Sequence, residues 1–149
     1  MSTEGIFVVE TQFLFGLIPM DRWNHEVEDV LDAIQKSGLD VRCLGSGILE
    51  VIFVAKSHGK NEKAIRASIG AMLSKLRTHN IQGVETINLT DLIGCLSLKE
   101  IYRLSFYDAL HAASSLNRSA ILISNDVTYD KISKLRRLSF SDLRRWIMG

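Results

Sequence analysis

Two short apolar runs constrain this chain more than any other feature. Ile6-Phe7-Val8-Val9 stands near its start and Ala120-Ile121-Leu122-Ile123 more than a hundred residues later, and neither contains a polar residue. A strand with one wet face alternates in polarity. An unbroken apolar run of four, rich in β-branched and aromatic residues, belongs to a strand buried on both faces, as in a parallel sheet covered by helices. The sequence between the runs supplies those helices. Trp23, Val27, Val30, Leu31 and Ile34 share one stripe over residues 22–36, with Asp21, Glu26, Glu28, Asp29 and Asp32 mostly off it, and Gly38 suits the stop. Residues 39–44 supply a second short strand, and Gly45-Ser46-Gly47 leads into an apolar helix to about Lys56. A longer helix over 61–78 buries Ile65, Ile69, Met72, Leu73 and Leu76, and a strand follows over 84–87. Helices are expected at 90–103, 105–117 and 127–136, and the tail ends in a short basic amphipathic piece. Strands alternating with helices define an α/β class, a three-layer α/β/α architecture around a central, mostly parallel sheet.

The 149 residues are enough for one domain with one core, and residues 1–149 are read as a single domain. With 46% hydrophobic and 23% charged residues, disorder is excluded. Cys43 and Cys95 form no CxxC pair and have apolar neighbours, which points to reduced core thiols. Glu4 precedes the first apolar run, there is no basic leader, and the run is far short of a bilayer span. The expected setting is cytoplasmic, without a membrane.

Ligands of open parallel sheets sit beyond the carboxyl ends of the strands. Glu10 follows the first apolar run and Ser124-Asn125-Asp126 the second. Each acid also has a plainer reading: Glu10 as the first solvated residue past a strand, Asp126 as a helix N-cap. Asp108 stands three residues after Ser105, as in a capping box, yet it opens an almost wholly apolar helix. His111, one turn on, is read as a satisfied, partly buried residue with no assigned role. Glu50 is the only charge within Gly47–Val54, where an ionised carboxylate reaches a polar cleft or is strongly penalised. The simpler alternative is one wet position on an amphipathic helix. Four carboxylates without basic neighbours in sequence suit a hard divalent cation, Mg²⁺ or Mn²⁺, and no His/Cys spacing suits zinc.

Ser-Phe-Tyr-Asp-Ala-Leu-His-Ala-Ala-Ser (105–114) followed by Ile-Leu-Ile-Ser-Asn-Asp-Val-Thr-Tyr-Asp (121–130) resembles the C-terminal half of PIN-domain ribonucleases. The resemblance spans roughly residues 6–142. It implies a Rossmann-like fold and metal-dependent cleavage of RNA by an activated water. Glu10, Glu50, Asp108 and Asp126 match the family's four acids, Thr11 and Ser124 would support them, and Asp130 is a candidate accessory ligand. At this length the chain is similar to VapC-type toxins, which implies an antitoxin partner and a homodimer. Two departures stand out: Glu10 replaces the family's first aspartate, and Gln12 replaces a small polar residue. They motivate the alternative of a catalytically weakened or inactive PIN-like module that binds RNA or protein. A nucleotide-binding Rossmann domain is disfavoured, because no Gly-rich loop follows the first strand.

The formal charge of +1 is a cancellation. Residues 1–130 carry a net of −4, whereas residues 131–149, with Lys131, Lys134, Arg136, Arg137, Arg144 and Arg145 against Asp142, carry +5. Arg136, Arg137, Arg144 and Arg145 are candidate RNA-backbone contacts. The plainer reading is a solvated or partner-facing surface. Trp146 among them either stacks on a base or anchors the tail.

Overall fold

The computed structural model describes residues 5–149, so the segment containing Glu4 lies outside the described residues. The two apolar runs become adjacent parallel strands. Strand β1 (Ile6–Val9) pairs with β4 (Ile121–Ile123), Val8 opposite Leu122. On its other side β1 pairs with β2 (Asp40–Leu44), which pairs with β3 (Gly83–Glu85); β5 (Arg136–Leu138) pairs with β4. The order is β3-β2-β1-β4-β5 and every pairing is parallel. The chain moves outward from β1 to β3 and then returns to the other side of β1. That reversal, between the carboxyl ends of β1 and β4, is where open sheets of this kind open a crevice.

Seven α-helices are present among the described residues: α1 (Thr11–Gly16), α2 (Asn24–Ser37), α3 (Gly45–Ser57), α4 (Glu62–Thr78), α5 (Leu89–Tyr102), α6 (Phe106–Asn117) and α7 (Phe140–Met148). They divide between the two faces of the sheet, following the two-residue period of a strand. Phe7 and Val9 of β1 face a cluster with Val27, Leu31 and Ile34 of α2, Met72 and Leu76 of α4, and Phe140 and Leu143 of α7. Val8, between them, faces the opposite cluster with Cys95 of α5, Ala109, Ala112 and Ala113 of α6, and Leu122. The alanine side of α6 lets α5 approach closely: a Cβ at Gly94 would stand 3.2 Å from that of Ala113. Both cysteines are free and buried in these clusters. Trp146 packs on Phe7 with ring centroids 5.3 Å apart, so it anchors the tail helix against the sheet.

Two local expectations needed correction. Residues 127–136 do not form a helix: a single 3₁₀ turn (Val127–Lys131) is followed by strand β5. Buried Tyr129, Ile132 and Leu135 have helix-like spacing, but ladder bonding to β4 takes the chain over by Arg136. The six-residue helix α1 was not expected. Glu10 starts it by accepting the Gln12 amide hydrogen at 3.0 Å.

Candidate metal centre

Glu10 leaves β1 directly into α1, and its N-cap bond fixes one carboxylate oxygen while leaving the other free. The residue is 5% exposed, so it is not a solvated position past the strand. The first turn of α3 lies against this corner. A Cβ at Gly47 would stand 3.1 Å from the Thr11 nitrogen and 3.2 Å from Glu10 backbone atoms, so any larger residue would push α3 away. One turn further along α3, Glu50 meets α1. The Thr11 hydroxyl donates to Glu50 Oε1 at 2.5 Å.

His111 of α6 closes the group from the opposite side, and its ring is fully buried. Its Nε2 lies 2.9 Å from Glu50 Oε1, 3.1 Å from the Thr11 hydroxyl and 3.9 Å from Glu10 Oε2. Its Nδ1 is 2.8 Å from the Ser46 hydroxyl. Glu10, Glu50 and His111 each offer a donor atom, and these atoms all lie within 4.8 Å of one another. His111 was given no role in the sequence reading. The available signal was its position one turn from Asp108 on the buried side of α6.

Burial pushes the Glu10 carboxyl up to about 7, an effect that nearby His111 and the Gln12 amide only partly offset. Burial also acts to raise Glu50, but the hydrogen bonds from His111 and Thr11 hold it below the usual carboxylate range. Asp108 is raised, first by burial and further by Asp126 and Glu50, against a lowering hydrogen bond with Ser105. The buried Tyr129 phenol is raised by burial and then by all four carboxylates, so each acid is close enough to be felt there. Tyr129 Oη lies 3.4 Å from Asp108 Oδ1. Among the ion pairs of the described residues, none joins a Lys or Arg to Glu10, Glu50, Asp108 or Asp126.

Ser105 caps α6 through the Asp108 amide at 3.2 Å, which leaves the Asp108 carboxylate half-buried and turned toward Tyr129. Asp126 caps the 3₁₀ turn through the Thr128 amide at 2.9 Å. Both acids therefore serve as caps, and neither joins the Glu10–Glu50–His111 donor group, although Asp108 feels the charges of Asp126 and Glu50. Ser124 is buried and accepts the Asp126 amide hydrogen at 3.1 Å. Asp130 is paired through both oxygens with Arg137, each bond 2.9 Å, and stands apart from the Glu10–Glu50–His111 donors. Arg137 also donates to the Ser124 carbonyl at 3.0 Å, which makes it part of the loop's framework. Arg145 pairs with Asp142, and Arg144 is exposed beside Glu26 and Asp29. Gln12 does not crowd the corner: its Oε1 accepts the Asn125 amide hydrogen at 2.8 Å and ties the β4 loop to α1.

The arrangement matches a described family. The PIN domain family model matches residues 7–135, and the chain belongs to that family. Among curated proteins no relative matches the chain. Among solved structures, VapBC-1 from nontypeable Haemophilus influenzae is similar at 17% identity and a TM-score of 0.65, covering 91% of this chain and 98% of that one. VapBC2 from Rickettsia felis, bound to a DNA fragment from its promoter, is similar at 15% identity and 0.65, covering 90% and 98%. PAE2754 from Pyrobaculum aerophilum is similar at 15% and 0.61, covering 98% and 96%. At these identities the likeness concerns the fold. No helix among the described residues is long and apolar enough to cross a membrane.

Proposed function

We propose that this PIN-domain protein is a Mg²⁺- or Mn²⁺-dependent ribonuclease acting as the toxin of a toxin–antitoxin pair. The observation that carries this reading is the convergence of Glu10, Glu50 and His111, with no Lys or Arg paired to either carboxylate among the ion pairs of the described residues. Glu10, Glu50, Asp108 and Asp126 would hold the cation. The donor set fits: hard carboxylate oxygens, one buried and three half-buried, gain most from a small divalent ion. When bound, such an ion supplies Lewis-acid stabilisation to a phosphodiester and lowers the pKa of a water. The protein's own groups prepare the site. Thr11 and His111 hold Glu50, the Gln12 amide holds Glu10, and Ser124 with Gln12 holds the loop that carries Asp126. Arg136, Arg144 and Arg145 on the β5–α7 side would meet the RNA backbone.

Partners follow from two supports. The VapBC structures support a small antitoxin. Exposed Leu89, Ile93 and Leu96, at helical spacing on α5, support a homodimer. Replacing Asp108 with Asn should abolish Mn²⁺-stimulated RNA cleavage and leave the circular dichroism spectrum unchanged. Equal cleavage by both proteins would refute the assignment. A non-catalytic binding module is the second reading, favoured by Glu10 and Gln12 standing where the family has an aspartate and a small polar residue. Calorimetric titration separates the two, because a binding module takes up no Mn²⁺ at millimolar concentration.

A further inference from the structure

Resting on the metal-dependent reading above, we infer that His111 is itself a metal ligand, so that the centre binds its ion through one imidazole nitrogen as well as carboxylates. Three observations lead there. The ring is fully buried and aimed at the acids, its Nε2 within 4.8 Å of a carboxylate oxygen of both Glu10 and Glu50. Its 2.9 Å distance to Glu50 Oε1, a hydrogen bond in this structure, is short enough for both atoms to serve one ion once the ring hydrogen leaves Nε2. The 3.9 Å to Glu10 Oε2 keeps that carboxylate within reach of the same ion.

The third observation concerns the far side of the ring. Metal-bound imidazoles are oriented by a partner on the other nitrogen, and Ser46 occupies that position at 2.8 Å from Nδ1. Without an ion, Nε2 faces the Glu50 carboxylate and the Thr11 oxygen, so it carries the ring hydrogen while Ser46 donates to Nδ1. With an ion, the hydrogen resides on Nδ1 and Ser46 accepts it. A hydroxyl serves both tautomers because it donates and accepts equally well. The exchange moves one hydrogen from one ring nitrogen to the other through solvent, with no net change in protons. Ser46 is buried at the first turn of α3, held against Glu10 by Gly47 next to it. The same close contact thus places the ligand's support and the ligand.

One consequence is a choice of metal. A nitrogen donor favours Mn²⁺ over Mg²⁺ relative to an all-oxygen site, because Mg²⁺ retains the stronger preference for oxygen and water. The test is pulsed electron paramagnetic resonance on the full-length protein loaded with Mn²⁺, with calorimetric affinities for Mn²⁺ and Mg²⁺ measured beside it. Wild type should show coupling from a directly bound ¹⁴N, replaced by the ¹⁵N pattern when the protein is made with ¹⁵N-histidine. His25, His58 and His79 lie outside the donor group, so the signal is expected to vanish in His111→Gln. Mn²⁺ affinity of that variant should fall about tenfold or more, and Mg²⁺ affinity less. Should His111→Gln not fold, the wild-type labelling experiment still decides, and Ser46→Ala should weaken Mn²⁺ binding about tenfold with the ¹⁴N coupling retained. Mn²⁺ binding without nitrogen coupling would overturn this inference and leave the metal-dependent reading standing. No Mn²⁺ binding at all would overturn both.

Discussion

Two clusters of acids near the carboxyl ends of the strands are held by different partners in this molecule. At the end of β3, Glu85 and fully buried Asp91 close on Arg118, which donates to Glu85 Oε2 at 3.0 Å and to Asp91 Oδ1 at 2.9 Å. The same guanidinium reaches the Thr86 and Ser114 carbonyls, and Arg42 adds a second bond to Glu85 at 2.6 Å. Glu85 is held low, chiefly by its bond from Arg42 and then by Arg118 against burial. Asp91 is pushed up by burial but held low by Arg118 and Asn117. At the end of β1, Glu10 and Asp108 are shifted the other way, raised first by burial, while Glu50 is held low by hydrogen bonds from His111 and Thr11 rather than by a Lys or Arg. Similar residues in similar positions thus serve as brackets where the chain supplies the cation. Where no Lys or Arg among the described residues pairs with them, they are held by His111, Thr11 and backbone amides instead. Acidic clustering alone does not mark a functional site; acidic clustering held by neutral donors rather than by an internal Lys or Arg is the stronger candidate.

The largest effect should come from breaking the bracket. Arg118→Met removes the cation and leaves Asp91 buried with only amide donors. Removing one partner of a buried pair typically costs about 3–5 kcal/mol, because the remaining charge stays uncompensated. Urea unfolding should show a loss in that range, with the Mn²⁺ affinity of the folded protein unchanged. A loss below about 1 kcal/mol would mean that Arg118 acts as an ordinary surface pair, and the contrast between the two clusters would fail.

The second effect comes from the unneutralised cluster and has the opposite sign. Between pH 4.5, the ordinary value for a glutamate, and about 7, its value here, the unfolded chain has released the Glu10 proton that the folded chain keeps. Folding takes up a proton across that window, so stability falls as pH rises through it. The shift corresponds to an effect on the order of 3 kcal/mol, fully expressed above pH 7 and absent below pH 4.5. Glu10→Gln keeps an acceptor for the Gln12 amide and cannot ionise. In the presence of a chelator it should match wild type at pH 4 and exceed it by that amount at pH 8. Glu85 and Asp91 behave inversely: their lowered values add stability above the ordinary carboxylate range that is lost as pH falls through their folded values. A pH-independent difference between Glu10→Gln and wild type would show that burial does not penalise the charge.

The parts of this architecture legible in the sequence are those fixed by local chemistry. Unbroken apolar runs announced β1 and β4, and a lone charge among apolar neighbours announced Glu50. The residues that follow β1 and β4 could be found by counting from them. Strand β5 was hidden because Arg136-Arg137-Leu138 has neither an apolar run nor clean alternation; its conformation comes from pairing with β4, a tertiary effect. His111 was hidden for a similar reason. Its partners Ser46, Glu50 and Thr11 stand 65, 61 and 100 residues away in the chain, so its character is set entirely by what the fold brings to it. The bracket at Arg118 was equally invisible, since its acids lie 33 and 27 residues upstream.

Gln12 gives the smallest and most discriminating prediction, because a departure from the family pattern proves to have a structural partner. Its side-chain carbonyl accepts the Asn125 amide hydrogen at 2.8 Å and stands 3.5 Å from the Ser124 hydroxyl, which in turn receives the Asp126 amide. Asn125 extends the tie by donating to Glu26 and accepting from the Phe140 amide, so α1, α2, α7 and the β4 loop meet at one amide. Gln12→Ala removes a single partly buried hydrogen bond, which should cost about 1 kcal/mol of stability. The larger consequence is geometric: the loop that aims Asp126 loses its link to the element that carries Glu10. Mn²⁺ affinity should therefore fall a few-fold, while the Arg118 bracket, on the far side of the sheet order, keeps its contribution. Gln12→Glu retains the accepting oxygen and should recover the loop, read as restored stability relative to Gln12→Ala at pH 7. If Gln12→Ala binds Mn²⁺ as tightly as wild type, the loop is held by Ser124 and Arg137 alone and Asp126 needs no help from α1.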